Sequence, residues 1–150
     1  MGNICRSPMA EGVFKRLAER AGVSDRFHVE SLAIGSWHVG EPYDPRARRT
    51  AQAHGVQLHG APTQIRPKDF ERFDWVIALD EDIAASLRRL APAAPDRQKI
   101  RLLREYDALA RSGDLDVPDP YYGGAEDFGA AYQMIERSCR ALFDELKTQA

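Results

Sequence analysis

Apolar residues recur along this chain with two different periods, and the change from one period to the other divides it into helices and strands. Met9, Val13, Phe14, Leu17 and Ala21 fall on one face of a 3.6-residue repeat. Ser7 is a good cap and Pro8 supplies the fixed φ of a first turn, so a helix is predicted to start directly after Arg6. Phe27-His28-Val29-Glu30-Ser31 alternates with period two and predicts a strand. Asp44-Pro45 opens a short capped helix over Arg46 to His54, with Gly55 as its stop. Trp75-Val76-Ile77-Ala78-Leu79 is continuously apolar between Asp74 and Asp80, the pattern of a strand covered on both faces. A helix is predicted over Ile83 to Leu90 and a further strand over Ile100 to Leu103. Phe128, Tyr132, Ile135, Cys139, Leu142 and Leu146 recur every three or four residues and predict a last helix of about five turns.

Strands alternating with helices imply an α/β sandwich with a parallel sheet, because each parallel pair needs a crossover and the crossover is usually a helix. No repeat, low-complexity tract or linker interrupts the pattern, so residues 1–150 are expected to form a single domain. One feature is out of place. Gly2-Asn3-Ile4-Cys5-Arg6-Ser7-Pro8 has the make-up of a phosphate-type loop, and such loops normally join a first strand to a first helix. A strand ahead of Met1 is therefore expected.

Charge narrows the possible ligands. The 150 residues carry 21 basic and 23 acidic side chains, a net charge of −2, with no long run of one sign. Neither nucleic acid nor an anionic membrane is implied, and any bound anion has to be caught by local geometry. Cys5 and Cys139 lie at opposite ends without paired spacing, which argues against a disulfide framework or a metal site and fits a reducing cytoplasm. No apolar run reaches the ~20 residues of a membrane span, so a cytoplasmic protein without cofactor is expected.

The N-terminal heptad reads in two ways on its own residues. Gly2 and Asn3 tolerate unusual backbone angles, the start of the helix presents N–H groups and its positive dipole end, and Arg6 offers a planar fork to two phosphate oxygens. Equally, it is an ordinary tail leading into a helix. Val117-Pro118-Asp119-Pro120-Tyr121-Tyr122-Gly123 holds a carboxylate on a stiff loop near no obvious partner, suited to general acid work, although an Asp-Pro turn is often only a turn.

Taken together, the two segments resemble the low-molecular-weight protein tyrosine phosphatase family. Its signature is a cysteine, five residues, arginine and then serine or threonine, and this chain matches everything from Gly2 to Pro8. The resemblance implies a three-layer sandwich with a central, mainly parallel sheet and helices on both faces. It further implies hydrolysis of phosphotyrosine in proteins, or of small aryl phosphates, through a cysteinyl-phosphate intermediate. Arg6 would bind the phosphate and Asp119 protonate the leaving oxygen. Gly2, Asn3, Ile4, Cys5 and Ser7 would form the phosphate-binding loop, with inorganic phosphate or sulfate as a further ligand. Ser31 would brace Asn3, and Trp37, Tyr121 and Tyr122 would form the rim of the pocket. Counting back from Arg6 puts the nucleophile one place before Met1, so the chain as written is expected to be inactive. Cys5 resembles the family's second loop cysteine, a small side chain behind the loop and inert if buried. Two departures stand out: Leu32-Ala33-Ile34 replaces a run of small residues and threonine, and His59 is one place off a histidine of the loop network. The alternatives are a non-catalytic binder of phosphate or phosphotyrosine and, less favoured, an arsenate reductase, for which Cys139 is poorly placed to relay a disulfide.

Overall fold

A computed structural model describes residues 4–149. The first helix, α1, runs Arg6–Arg20, one residue earlier than predicted. Cys5 is its N-cap, in a non-helical conformation, and its carbonyl accepts from the Met9 N–H at 3.3 Å. Ser7 therefore lies inside the first turn and caps nothing there. Pro8 fits the same turn, where its missing N–H would have had no partner. Met9, Val13, Phe14 and Ala18 are buried, Leu17 is half-buried, and Ala21 is exposed at the C-cap, so the buried face is shorter than the periodicity suggested.

Phe27 to Ser31 departs from expectation. Its side chains alternate as predicted, with Phe27 and Val29 turned to the core and His28 and Glu30 outward. Among the described residues, however, no strand ladder includes it. A strand is defined by its neighbour, and the alternation cannot supply one. Phe27 instead closes an aromatic triad with Phe14 and Phe143, with ring centroids 5.4 to 5.8 Å apart. Further on, Ala33 bridges to Gln64 in parallel fashion.

Helix α2, Pro45–Ala53, is capped by Asp44, whose carboxylate accepts from the Arg46 N–H. It stops where Gly55 takes φ +79°, a conformation open to glycine at little cost. Strand β1, Val76–Ala78, and strand β2, Ile100–Leu102, pair in parallel with Val76 opposite Ile100. Between them lie α3, Glu81–Leu90, capped by Asp80, and the single turn α4, Ala94–Arg97. Helix α5, Ala125–Lys147, closes the fold, and its whole predicted stripe from Phe128 to Leu146 is buried.

The sheet separates two apolar cores, as alternation along a strand requires. Ile77 and Leu79 point to the core built on α1, α2 and α5. Val76, Ala78, Ile100 and Leu102 point to the other, covered by α3 and by Ile65 and Phe70. Helices therefore cover both faces of a parallel sheet: a three-layer α/β fold.

Candidate active site

The N-terminus of α1 meets the Asp119 loop at a cavity of about 280 Å³ whose polar wall is Cys5, Arg6, Ser7 and Asp119 and whose aromatic wall is Tyr121, Tyr122 and His38. Residues over a hundred positions apart in sequence are brought together here. Arg6 Nη2 lies 3.9 Å from Asp119 Oδ2. The proline-flanked carboxylate thus has a partner, contrary to the sequence reading. Asp119 stays half-exposed, and its Oδ1 accepts from the Tyr121 N–H at 3.1 Å, which fixes the loop's own turn.

Arg6 is buried, and its other terminal nitrogen is fully engaged. Nη1 donates to Asp80 Oδ2 at 2.8 Å and to the Val117 carbonyl at 2.6 Å. The planar guanidinium is thereby held by two groups on one side, with Nη2 turned towards Asp119. Asp80 acts twice: one oxygen caps α3 through the Ile83 N–H, while the other orients Arg6. Its ion pair with a residue 74 positions away had no local signal.

Ile4 and Cys5 are tied to the start of α2. The Asp44 N–H donates to the Ile4 carbonyl at 2.9 Å, and the Asp44 carboxylate receives Arg46 through Nε and Nη2. Those hydrogen bonds hold the Asp44 carboxyl below the usual carboxylate range. Arg46 also reaches the Gly123 carbonyl at 3.3 Å and lies over the rings of Tyr121 and Phe128. It therefore links the loop before α1 to the Asp119 loop. Nothing in the sequence distinguished Arg46 from the other basic residues of α2.

Cys5 is 4% exposed, and burial pushes its thiol up to about 12, with Asp44 and Asp119 adding to the effect. It is a packed thiol without thiolate character. Cys139 is buried on α5 and likewise raised to about 12 by burial.

Other sequence-predicted positions are distributed as follows. Gly2 and Asn3 lie outside the described residues. Ser31 is buried, and its N–H and hydroxyl both donate to Glu11 Oε1, at 3.0 and 2.6 Å. Trp37 is 64% exposed on a turn next to the site and folds back over Gly35, where a Cβ would stand about 2 Å from the indole. Its neighbour His38 faces the cavity and lies 6.3 Å from Tyr121. Tyr122 is almost fully exposed and meets Tyr121 edge to face at 4.8 Å. His59 is exposed and makes no hydrogen bond among the described residues. Among those same residues, no cluster of ligating side chains suits a metal, and no helix is long and apolar enough to cross a membrane.

This fold agrees with what the chain is similar to. The sequence profile described as low molecular weight phosphotyrosine protein phosphatase matches residues 1–150. A low molecular weight protein-tyrosine-phosphatase of Streptomyces coelicolor is 45% identical over 148 residues, covering 99% of this chain and 90% of that one. The crystal structure of a protein tyrosine phosphatase from Entamoeba histolytica, with Hepes in the active site, superposes with a TM-score of 0.93 at 30% identity, covering 99% of this chain and 94% of the other. Vibrio vulnificus Wzb in complex with benzylphosphonate superposes with a TM-score of 0.82 at 27% identity, covering 97% and 93%. The chain belongs to the low molecular weight phosphotyrosine protein phosphatase family.

Proposed function

We propose that this site binds the phosphate of phosphotyrosine or of a small aryl phosphate and that Asp119 serves its hydrolysis as general acid. The observation that carries the reading is the convergence of Arg6 and Asp119, 3.9 Å apart, at a cavity walled by Tyr121 and Tyr122. Arg6, held by Asp80, supplies a preorganised positive charge for the equatorial oxygens. The tyrosines flank the aryl ring. Benzylphosphonate in the Vibrio vulnificus protein has the same combination of an aromatic ring and a phosphorus oxyanion, which supports this choice of ligand.

In this reading the nucleophile is the cysteine that the family signature places one residue ahead of Met1. Its thiolate attacks phosphorus in line, the P–O bond to the phenol breaks, and Asp119 gives its proton to the departing oxygen. Water then attacks the cysteinyl phosphate as the Asp119 carboxylate accepts its proton, releasing phosphate and thiolate. Neither Cys5 nor Cys139 can take the nucleophile's place, because both thiols are buried and raised to about 12. Residues 1–150 alone therefore bind phosphate or sulfate without turning over an ester, the second reading that the buried thiols favour. A cytoplasmic location suits both readings, since two unpaired cysteines persist in a reducing compartment.

The test is hydrolysis of p-nitrophenyl phosphate by residues 1–150 and by the same chain preceded by an apolar strand ending in cysteine. Turnover is expected only from the second and is expected to vanish when that cysteine becomes serine. Equal turnover by both would remove the nucleophile from this account.

A further inference from the structure

The loop that carries Asp119 is short and is held at its two ends. On the entering side Val117 is locked: its N–H donates to the Leu79 carbonyl at 2.8 Å, and its carbonyl accepts from Arg6 Nη1 at 2.6 Å. Within the loop, Asp119 Oδ1 accepts from the Tyr121 N–H at 3.1 Å and the Pro120 carbonyl accepts from the Gly123 N–H at 2.8 Å. Those bonds shape a turn without fixing where the turn stands. Among the described residues, the one hydrogen bond that ties residues 118–123 to another part of the chain comes from Arg46, whose Nη1 donates to the Gly123 carbonyl at 3.3 Å.

The same guanidinium is anchored on the phosphate-binding side. Nε and Nη2 meet the Asp44 carboxylate at 3.1 and 2.8 Å, and the Asp44 N–H donates to the Ile4 carbonyl at 2.9 Å. Its Cζ also lies 5.5 Å from the centre of the Tyr121 ring and 4.7 Å from that of Phe128, in the first turn of α5. An isolated surface ion pair is loosely held, but a planar fork engaged by a carboxylate, a carbonyl and two rings has few other places to go. Arg46 is not among the residues that line the cavity, so it reaches the reaction only through the loop.

We infer that Arg46 is a positioning residue for the general acid: by joining Asp44, beside the phosphate-binding loop, to Gly123 and Tyr121, it sets where the Asp119 carboxyl stands relative to the bound phosphate. The inference rests on the phosphatase reading. Arg6 does not do this work, since it grips the loop at Val117 and stays 3.9 Å from Asp119. Without Arg46 the turn keeps its internal bonds but pivots about Val117, and a misplacement of about 1 Å is enough to cost about 10²-fold in a positioned step. Only a leaving oxygen that needs a proton feels the loss, so the effect is selective for poor leaving groups.

The experiment uses Arg46→Met, which keeps an apolar stem over Phe128, and Arg46→Lys, which keeps a charge beside Asp44 but not the fork. In the chain preceded by a strand ending in cysteine, either variant is expected to lower kcat on phenyl phosphate by about tenfold or more, with p-nitrophenyl phosphate changed by less than about threefold and KM for both nearly constant. In an Asp119→Asn background the same substitution is expected to cost less than about twofold, because a residue acting through Asp119 has nothing left to position. On residues 1–150 alone, the Tyr121 and Gly123 amides are expected to exchange at least about tenfold faster in the variants, while the Val117 amide is unchanged. Equal losses on both esters, an undiminished loss without the Asp119 carboxyl, or unchanged exchange at Tyr121 and Gly123 overturns the inference. Failure of the unsubstituted chain to turn over strikes the phosphatase reading instead, and the exchange result still decides whether Arg46 holds the loop.

Discussion

At the level of single residues, the site depends on which side chains are already engaged. Arg6 is buried with a charged partner and a carbonyl, so its position is set before any anion arrives. Cys5, two atoms of backbone away from it, is the opposite case: packing has removed its chemistry. Native protein at pH 7.5 is expected to leave Cys5 and Cys139 unmodified by iodoacetamide over times that label both fully in denaturant, as read by mass spectrometry. Rapid native labelling of Cys5 would show a thiolate that its burial and raised pKa exclude. Arg6, Asp119 and the two tyrosines could be singled out in the sequence because each sits in a short motif. The ion pair of Asp80 with Arg6 and the bridging contacts of Arg46 could not, since a pair between residues 74 apart, or a strut between two loops, leaves no periodic trace.

At the level of elements, two carboxylates tie separate segments of the fold together. Asp107 is fully buried at its side chain and accepts from Arg104, from Arg137 on α5 and from the Leu109 N–H. It ties the turn Leu103–Tyr106 after β2 to the last helix. Asp107→Ala leaves the largely buried Arg104 without that partner and is expected to cost about 3–5 kcal/mol in denaturant unfolding. A loss below about 1 kcal/mol would mean that solvent or another acceptor takes its place. Asp44 gives a pH-dependent counterpart. Its folded pKa is depressed by the Arg46 hydrogen bonds, so its contribution is complete above the unfolded value of about 3.9 and is lost as pH falls through the folded value. The gap in melting temperature between the natural chain and Asp44→Asn is therefore expected to be widest above about pH 4 and to narrow steadily as pH falls below it. A gap constant over that range would contradict the sign.

Across the whole molecule, the helices were legible and the sheet only in part. The α5 stripe, the Asp44 cap and the apolar run at Val76 carry their own local signal, and all three appear where the sequence put them. The start of α1 was one residue out because backbone at Cys5, and not the Ser7 hydroxyl, opens the helix. Phe27 to Ser31 alternates correctly but joins no ladder among the described residues, because strand pairing is a property of two segments and the pattern of one cannot encode it. The same holds for the site: two motifs were readable separately, and only the fold sets them 3.9 Å apart. The most direct test of that convergence uses the chain preceded by a strand ending in cysteine, comparing phenyl phosphate with p-nitrophenyl phosphate. Asp119→Asn is expected to slow phenyl phosphate, whose phenolate needs a proton, by about 10²–10⁴-fold and the activated ester far less. Equal losses on both esters, or none on phenyl phosphate, would contradict the assignment of Asp119 as the acid of this site.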